Sequence, residues 1–252
     1  MANDTIKKTL TVAFLLCIVC AVVVSTAAVS LRPMQQANKL LDLKTNILAS
    51  AGLLQEGIDV ETQFEQISTR LVDLNTGLFT EEVDVDAYDQ RKAAKDPALS
   101  DALSPEEDVA KIIRREKYAK VYLLEGDSGI EKVILPIKGY GLWSTLYGFL
   151  ALESDLNTVA GIGFYEHAET PGLGGEVDNL LWKAKWIGKQ TYKDGEIAIT
   201  VVKGAAAPDS VHQIDGMSGA TLTTRGVDNF VRYWMGENGF APFLKNLKAG
   251  EA

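Results

Sequence analysis

Apart from Cys17 and Cys20, the 252-residue chain has no cysteine. The region beyond residue 32 therefore lacks any thiolate, which excludes a thiolate metal site, an iron–sulfur cluster or a cysteine-linked cofactor there. Basic charge is also short, with 25 Lys and Arg against 34 Asp and Glu and a formal net charge of -9. A nucleic-acid reader needs a basic footprint to displace counterions from phosphates, so no nucleic-acid partner is expected. A dinucleotide fingerprint is missing as well: Gly161-Ile162-Gly163 has neither the third glycine nor the opening helix. Internal repeats and low-complexity tracts are absent. The length and the 46% hydrophobic, 23% charged composition suit one or two globular domains and exclude a disordered chain or a disulfide scaffold.

Charge and hydrophobicity are unevenly spread. Thr9 to Leu31 is an uncharged run of 23 residues, which as a helix extends roughly 35 Å, slightly more than the roughly 30 Å of bilayer hydrocarbon. A single transmembrane helix over 9–31 is expected. A cleaved secretory signal is the alternative, because Thr26 and Ala28 are small residues placed as a peptidase would want them; the run exceeds the ~7–15 residues of a signal core. Lys7 and Lys8 precede the span, which favours a cytoplasmic tail over 1–8 and a body on the outer side of a bacterial inner membrane. That body, residues 33–252, carries 22 basic and 33 acidic residues. Both cysteines fall inside the span, three residues apart, where small packing residues are the plainer reading of a C-x-x-C spacing.

Beyond the span, Leu40, Leu41, Leu43, Ile47, Leu48 and Leu53 recur near helical spacing, so a stalk helix is expected to continue to about Leu54. Residues 55–103 are acidic with weak periodicity and read as a linker or accessory lobe. Ser104-Pro105-Glu106-Glu107 has the form of a capping box and predicts a helix ending near Arg114 or Arg115. From there short β-rich runs follow at 120–124, 132–137, 144–152 and 159–164, then a helical pattern at 177–186, a strand at 197–202 and a helix over about 222–235. In that last helix Val227, Phe230, Val231 and Trp234 stand at i, i+3, i+4 and i+7. The expected class is α+β, a mostly antiparallel sheet with packed helices. The expected divisions are 1–8, 9–31, a stalk and accessory region over 32–115, and a binding domain over 116–252.

Three clusters combine glycine with convergent polar groups: Gly139 to Ser144, His167 to Gly175, and Asp215 to Thr224. Each alone also reads as a glycine turn with local caps. The third is the sharpest, since Ser218, Thr221, Thr223 and Thr224 sit at the start of a well-patterned helix, where open N–H groups and the positive dipole end favour a phosphate.

Asp-Gly-Met-Ser-Gly-Ala-Thr at 215–221 resembles the flavinylation motif of the FMN-binding domain family, in which a flavin transferase esterifies the FMN phosphate to the final threonine. The resemblance implies that Thr221 carries one covalent FMN through a phosphoester. His-Ala-Glu-Thr-Pro-Gly-Leu-Gly at 167–174 resembles that family's second signature. Gly-Gly-Glu-Val-Asp-Asn at 174–179, followed by Trp182, is similar to the C subunits of sodium-translocating NADH:quinone oxidoreductases. The order of span, linker and flavin domain extends the resemblance over essentially the whole chain. One departure is Leu180, where a proline after Asn179 is more usual.

What the resemblance implies is an electron relay. NADH would be oxidised elsewhere in a membrane complex that reduces ubiquinone and moves Na+ outward. The partners would be the A, B, D, E and F subunits, with electrons arriving from a membrane iron centre and leaving toward the FMN of the B subunit. Around the phosphate on Thr221, the turn residues Ser218, Gly219, Ala220, Leu222 and Thr223 would offer hydroxyl or backbone donors to phosphate and ribityl oxygens. Glu169 and Thr170 would meet ribityl or ring polar edges, and Leu142, Trp143 and Leu173 would supply apolar or π contact to the ring, with Gly174 part of a rigid loop. Lys203 is a candidate charge partner for the phosphate, its plainer reading being a solvated lysine. His167 reads as a loop brace, and Asp215 as a brace or a transferase determinant. No metal ligand set and no catalytic residue beyond the flavin are expected. Two alternatives remain at this point: an electron carrier like the G subunit of the Rnf complex, and a non-redox, membrane-anchored binding module.

Overall fold

The computed structural model describes residues 5–126 and 129–252, so residues 1–4 of the expected tail lie outside the described residues. Helix α1 runs Ile6–Ser50 with Pro33 inside it, and span and stalk are one uninterrupted helix. It ends four residues before the expected stop. Gly52 turns left-handed (φ 69) and Leu53 N–H closes back on the Leu48 carbonyl at 2.8 Å, a Schellman-type stop. Residues up to Asp42 form one compact unit and Leu43–Ala252 another. In the first unit the apolar side chains from Leu10 to Val29 are exposed, and α1 is the one helix among the described residues long and apolar enough to cross a membrane. Cys17 and Cys20 are exposed on it as free thiols.

The second unit begins with α2 (Val60–Phe64), strands β1 (Ile67–Asp73) and β2 (Leu78–Thr80), helix α3 (Gln90–Ala93), and strands β3 (Ser100–Ala102) and β4 (Arg114–Glu116). Four long strands follow: β5 (Tyr118–Gly126), β6 (Gly129–Tyr140), β7 (Thr145–Glu153) and β8 (Val159–Glu166). The main sheet has six strands in the order β2-β1-β5-β6-β7-β8, every neighbour antiparallel. Gly161 to Gly163 lie inside β8. After β8 come a 3-10 turn at Gly174–Asp178, helix α4 (Leu180–Lys183), a second 3-10 turn at Ala184–Trp186, and the two-residue strands β9 (Tyr192–Lys193), β10 (Glu196–Ile197), β11 (Thr200–Val201) and β12 (Gln213–Ile214). Helices α5 (Thr221–Trp234) and α6 (Ala241–Ala249) complete the chain.

Strand alternation sends successive side chains to opposite faces of the sheet, and here both faces are covered. Val121, Leu123, Val133, Leu135, Ile137, Leu150 and Leu152 pack with Val227, Phe230, Val231 and Trp234 of α5 and with Phe243 of α6. The intervening Tyr122, Leu124, Ile134, Phe149 and Ala151 pack with Ile47 and Leu48 at the end of α1 and with Ala51. Each large apolar side chain buried this way stabilises by roughly 1.5–3 kcal/mol. Trp234, wholly buried, still satisfies its indole N–H by donating to the Lys138 carbonyl at 2.7 Å. The apolar stripe read at Val227 to Trp234 is thus the face that fixes α5 across the sheet.

Two expectations from the sequence need correction. The Ser104–Glu107 box forms, with Ser104 N–H donating to Glu107 at 3.0 Å and Glu107 N–H to Ser104 Oγ at 3.3 Å, but no helix follows it. The Asp108 carboxylate captures the amides of Ile112 and Ile113 at 2.7 and 2.8 Å, and Lys111 and Ile113 take positive φ, so the chain turns into β4. Residues 67–80, read as part of a linker or accessory lobe, supply β1 and β2 of the main sheet. The rest of that segment is tied in as well: Tyr88 donates to the Tyr118 carbonyl at 2.7 Å, and the buried Glu116 accepts from Gln90 and Lys138 at 2.7 and 2.6 Å.

Candidate functional site

The three glycine-rich clusters meet at one end of the sheet, around the carboxylate of Glu169. This side chain is 5% exposed. Its Oε1 accepts from the amides of Leu142, Trp143 and Ser144 at 3.1, 2.9 and 3.2 Å, and its Oε2 from the Thr223 hydroxyl at 2.6 Å. A Cβ on Gly141 would stand 2.7 Å from Oε1 and one on Gly174 2.6 Å from Oε2, so the carboxylate fills space that those two glycines leave. Burial raises the carboxyl pKa, but the Thr223, Trp143, Ser144 and Leu142 donors outweigh it and hold Glu169 below the usual range. His167 braces the same loop. Its Nδ1 accepts from Glu169 N–H at 3.2 Å, which leaves Nε2 to donate to Asp178 at 2.7 Å.

Below this, the motif loop folds back on α5. Met217 N–H donates to Thr224 Oγ1 at 3.1 Å, and Gly219 turns left-handed at φ 75 to deliver Ala220 to the helix start. Ala220 has no side-chain acceptor and no side chain caps α5, so the first-turn N–H groups and the positive dipole end open outward beside the exposed Thr221. They open on a cleft of about 370 Å³ lined by Ser218, Gly219, Thr221, Thr224, Lys185 and Lys203, among others. Asp215 fastens the floor. Its Oδ2 accepts from Lys185 Nζ at 2.5 Å, its Oδ1 from Ala206 N–H at 2.6 Å, and its carbonyl from Trp182 Nε1 at 2.8 Å. The Lys185 ammonium, joined by the Ala206 amide, keeps the Asp215 carboxyl below its ordinary value.

The structure gathers the residues singled out from the sequence into two groups. Ser218, Gly219, Thr221 and Lys203 line the cleft, and Leu222, next to Thr221 in the chain, is 54% exposed. Leu173 lies against Gly219, its Cδ2 3.0 Å from where a Cβ would sit, and is 45% exposed. Leu142 and Trp143, the latter 66% exposed, belong to the loop that Glu169 holds. Thr170 is exposed, and its carbonyl accepts from Gly175 N–H at 2.9 Å. Glu169 and Thr223 are turned inward onto each other, and Ala220 and Gly174 are buried. Lys185 of the cleft wall is not legible in the sequence. It is one of several lysines in a stretch with no local pattern, and only the fold sets it against Asp215, 30 positions later.

An uncapped helix start on a cleft lined by Ser218, Thr221 and two lysines, with the exposed Leu173 against Gly219, suits a phosphate-bearing cofactor with an apolar part. The FMN-binding domain family matches residues 141–236, a stretch that holds all three loops, and the class is therefore that of FMN-binding domain proteins. The C subunit of the Na(+)-translocating NADH-quinone reductase of Pseudomonas aeruginosa is 54% identical over 261 residues, covering 100% of each chain. That of Vibrio alginolyticus is 52% identical over 251 residues, 99% of this chain and 98% of the relative. A crystal structure of Shewanella oneidensis NqrC superposes with a TM-score of 0.78 at 38% identity, over 84% of this chain and 99% of that one. The crystal structure of the corresponding C subunit from Parabacteroides distasonis gives 0.67 at 30% identity, over 85% and 96%. The chain belongs to the family of Na(+)-translocating NADH-quinone reductase C subunits.

Proposed function

We propose that this chain is an electron-carrying subunit whose Thr221 holds one FMN through a phosphoester, within a membrane complex that oxidises NADH, reduces ubiquinone and moves Na+ outward. The observation that carries the reading is the uncapped start of α5: a reactive hydroxyl and open first-turn amides share one cleft with two lysines. In forming the ester Thr221 would gain an Oγ–P bond as one P–O bond of the flavin nucleotide donor breaks, the departing oxygen leaving on the donor's leaving group together with the threonine's hydroxyl proton, so that the chain gains one FMN less one water. The first-turn N–H groups and Ser218 bind the phosphate oxygens, Lys203 adds positive charge, and Lys185, pinned to Asp215, keeps the cleft floor in place. Leu142, Trp143, Leu173 and Leu222 supply the apolar surface that covers a ring and excludes water from it. When bound, the flavin supplies one- and two-electron chemistry, which the protein tunes through hydrogen bonds and burial. Helix α1 anchors the chain in the bacterial inner membrane, with the sheet domain on the periplasmic side, where a dissociated cofactor would be lost and a covalent tether is useful. The A, B, D, E and F subunits are the partners, and a flavin transferase matures the chain.

The test is the intact mass of protein matured in its own host. One FMN less one water should be added, should map to the peptide with Thr221, and should leave a fluorescent band on a denaturing gel. Unmodified mass and a colourless protein would overturn the reading. Co-purification with a ferredoxin-linked assembly would overturn the choice of complex.

A further inference from the structure

Glu169 is the most heavily hydrogen-bonded side chain of the site, and its oxygens are spent on the protein itself. Its donors come from two separate segments, the 142–144 loop and the first turn of α5, and Glu169 belongs to a third. Leu142 N–H also lies 3.3 Å from Oε2. Only a carboxylate offers acceptors toward both segments at once: alanine leaves the amides of 142–144 and the Thr223 hydroxyl unpaired, whereas glutamine keeps an oxygen for the amides and turns an amide N–H toward Thr223. The pocket around it is shaped for those two oxygens, because Gly141 and Gly174 would each collide with them if they carried a Cβ.

We propose that Glu169 is the positioning residue of the flavin site, keying the Leu142–Ser144 loop to the first turn of α5 and so fixing the separation between the ring-contacting side chains and Thr221. What is positioned rests on the FMN reading; the keying itself does not. Because the donors outweigh burial, the group stays ionised, a fixed negative charge between the 142–144 loop and the first turn of α5. Such a charge opposes added electron density on a nearby ring, so Glu169 also lowers the potential at which that ring is reduced.

The test uses the full-length chain carrying E169A, E169Q or T223V, each in native form and in a T221A background that takes no flavin. In the flavin-free background, hydrogen exchange at the amides of 142–144 should speed up roughly tenfold in E169A and by less in E169Q, which keeps one acceptor oxygen. T223V, which cuts only the tie to α5, should give a smaller change. Formate, which fits the space of the missing carboxylate, should restore protection in E169A and leave T223V unchanged. In the loaded protein E169Q should raise the midpoint potential of the flavin. Unchanged exchange in E169A would overturn the keying, and if E169A does not fold, unchanged exchange in both E169Q and T223V would overturn it. Altered exchange with an unchanged potential would leave the keying and overturn the electrostatic part. If the parent protein carries no flavin, the functional reading fails while the exchange and formate measurements still judge Glu169.

Discussion

The helix starts of the second unit differ in one respect. Asp59 caps α2 through Thr62 N–H at 3.2 Å, Asp89 caps α3 through Arg91 and Lys92 N–H at 3.1 Å each, and Asn179 caps α4 through Leu181 N–H at 2.9 Å. These three helices have four or five residues each, yet each has a side chain spent on its first turn. Helix α5, with 14 residues, has Ala220 instead and no side-chain cap. A cap is worth about 1 kcal/mol, so the longest helix of the domain forgoes stabilisation that the shortest ones have. Its packing explains how it stands without one, since Val227, Phe230, Val231 and Trp234 are all buried at the sheet. Helix α6 also starts without a side-chain cap, but with Pro242 in its first turn, so the difference separates the three capped helices from α5, whose uncapped start alone opens on the cleft.

The contrast can be broken or sharpened by substitution. The largest effect is expected from T221A, which should abolish the covalent mass increment while the chain still inserts and folds, because the side chain is exposed and its backbone keeps its place; mass spectrometry and circular dichroism read the two parts. Next comes acid. Glu169 and Asp215 both have lowered pKa values, so the stability they contribute is fully present above their unfolded values of about 4.5 and 3.8 and is lost as pH falls through the folded ones. The melting temperature should therefore drop steeply below about pH 4.5, and E169Q should flatten that slope. A220S supplies the missing cap. It should stabilise the flavin-free chain by about 1 kcal/mol in urea titration and slow flavin loading, since the new hydroxyl competes for the same amides. A stabilised A220S chain that loads at the parental rate would break the contrast. N179A should cost about 1 kcal/mol and leave loading untouched. Smallest of all, L180P should change stability by less than about 0.5 kcal/mol, because Leu180 is 78% exposed at the first helical position, where proline is tolerated.

Much of this was legible in the chain itself, for local reasons. Helix α5 announces itself through a 3.6-residue stripe, the four long strands through β-rich runs between turn residues, and the candidate anchor through an uncharged run. Where reading failed, long-range contacts had decided the outcome. The Ser104–Glu107 box is locally well formed, yet Asp108 diverts the backbone that would have continued it. Strand β1 alternates poorly (Ile67, Leu71 and Val72 buried) and reads as part of a linker or accessory lobe, although it pairs with β5 along its whole length. Glu169 stands in a ligand-binding signature, and what the sequence does not report is its hydrogen bond within the protein. Its partner Thr223 lies 54 positions away, and no spacing rule reports a contact at that distance.

The hydroxyl that would accept the cofactor and the hydroxyl that closes on Glu169 are two residues apart, and both follow every strand of the main sheet in the chain. During synthesis they leave the ribosome last among the parts of the site, so the acceptor is presented only by a domain whose sheet can already be complete. Residue order along this one polypeptide thereby means that a chain ending before α5 would lack Thr221, the hydroxyl proposed to carry the cofactor.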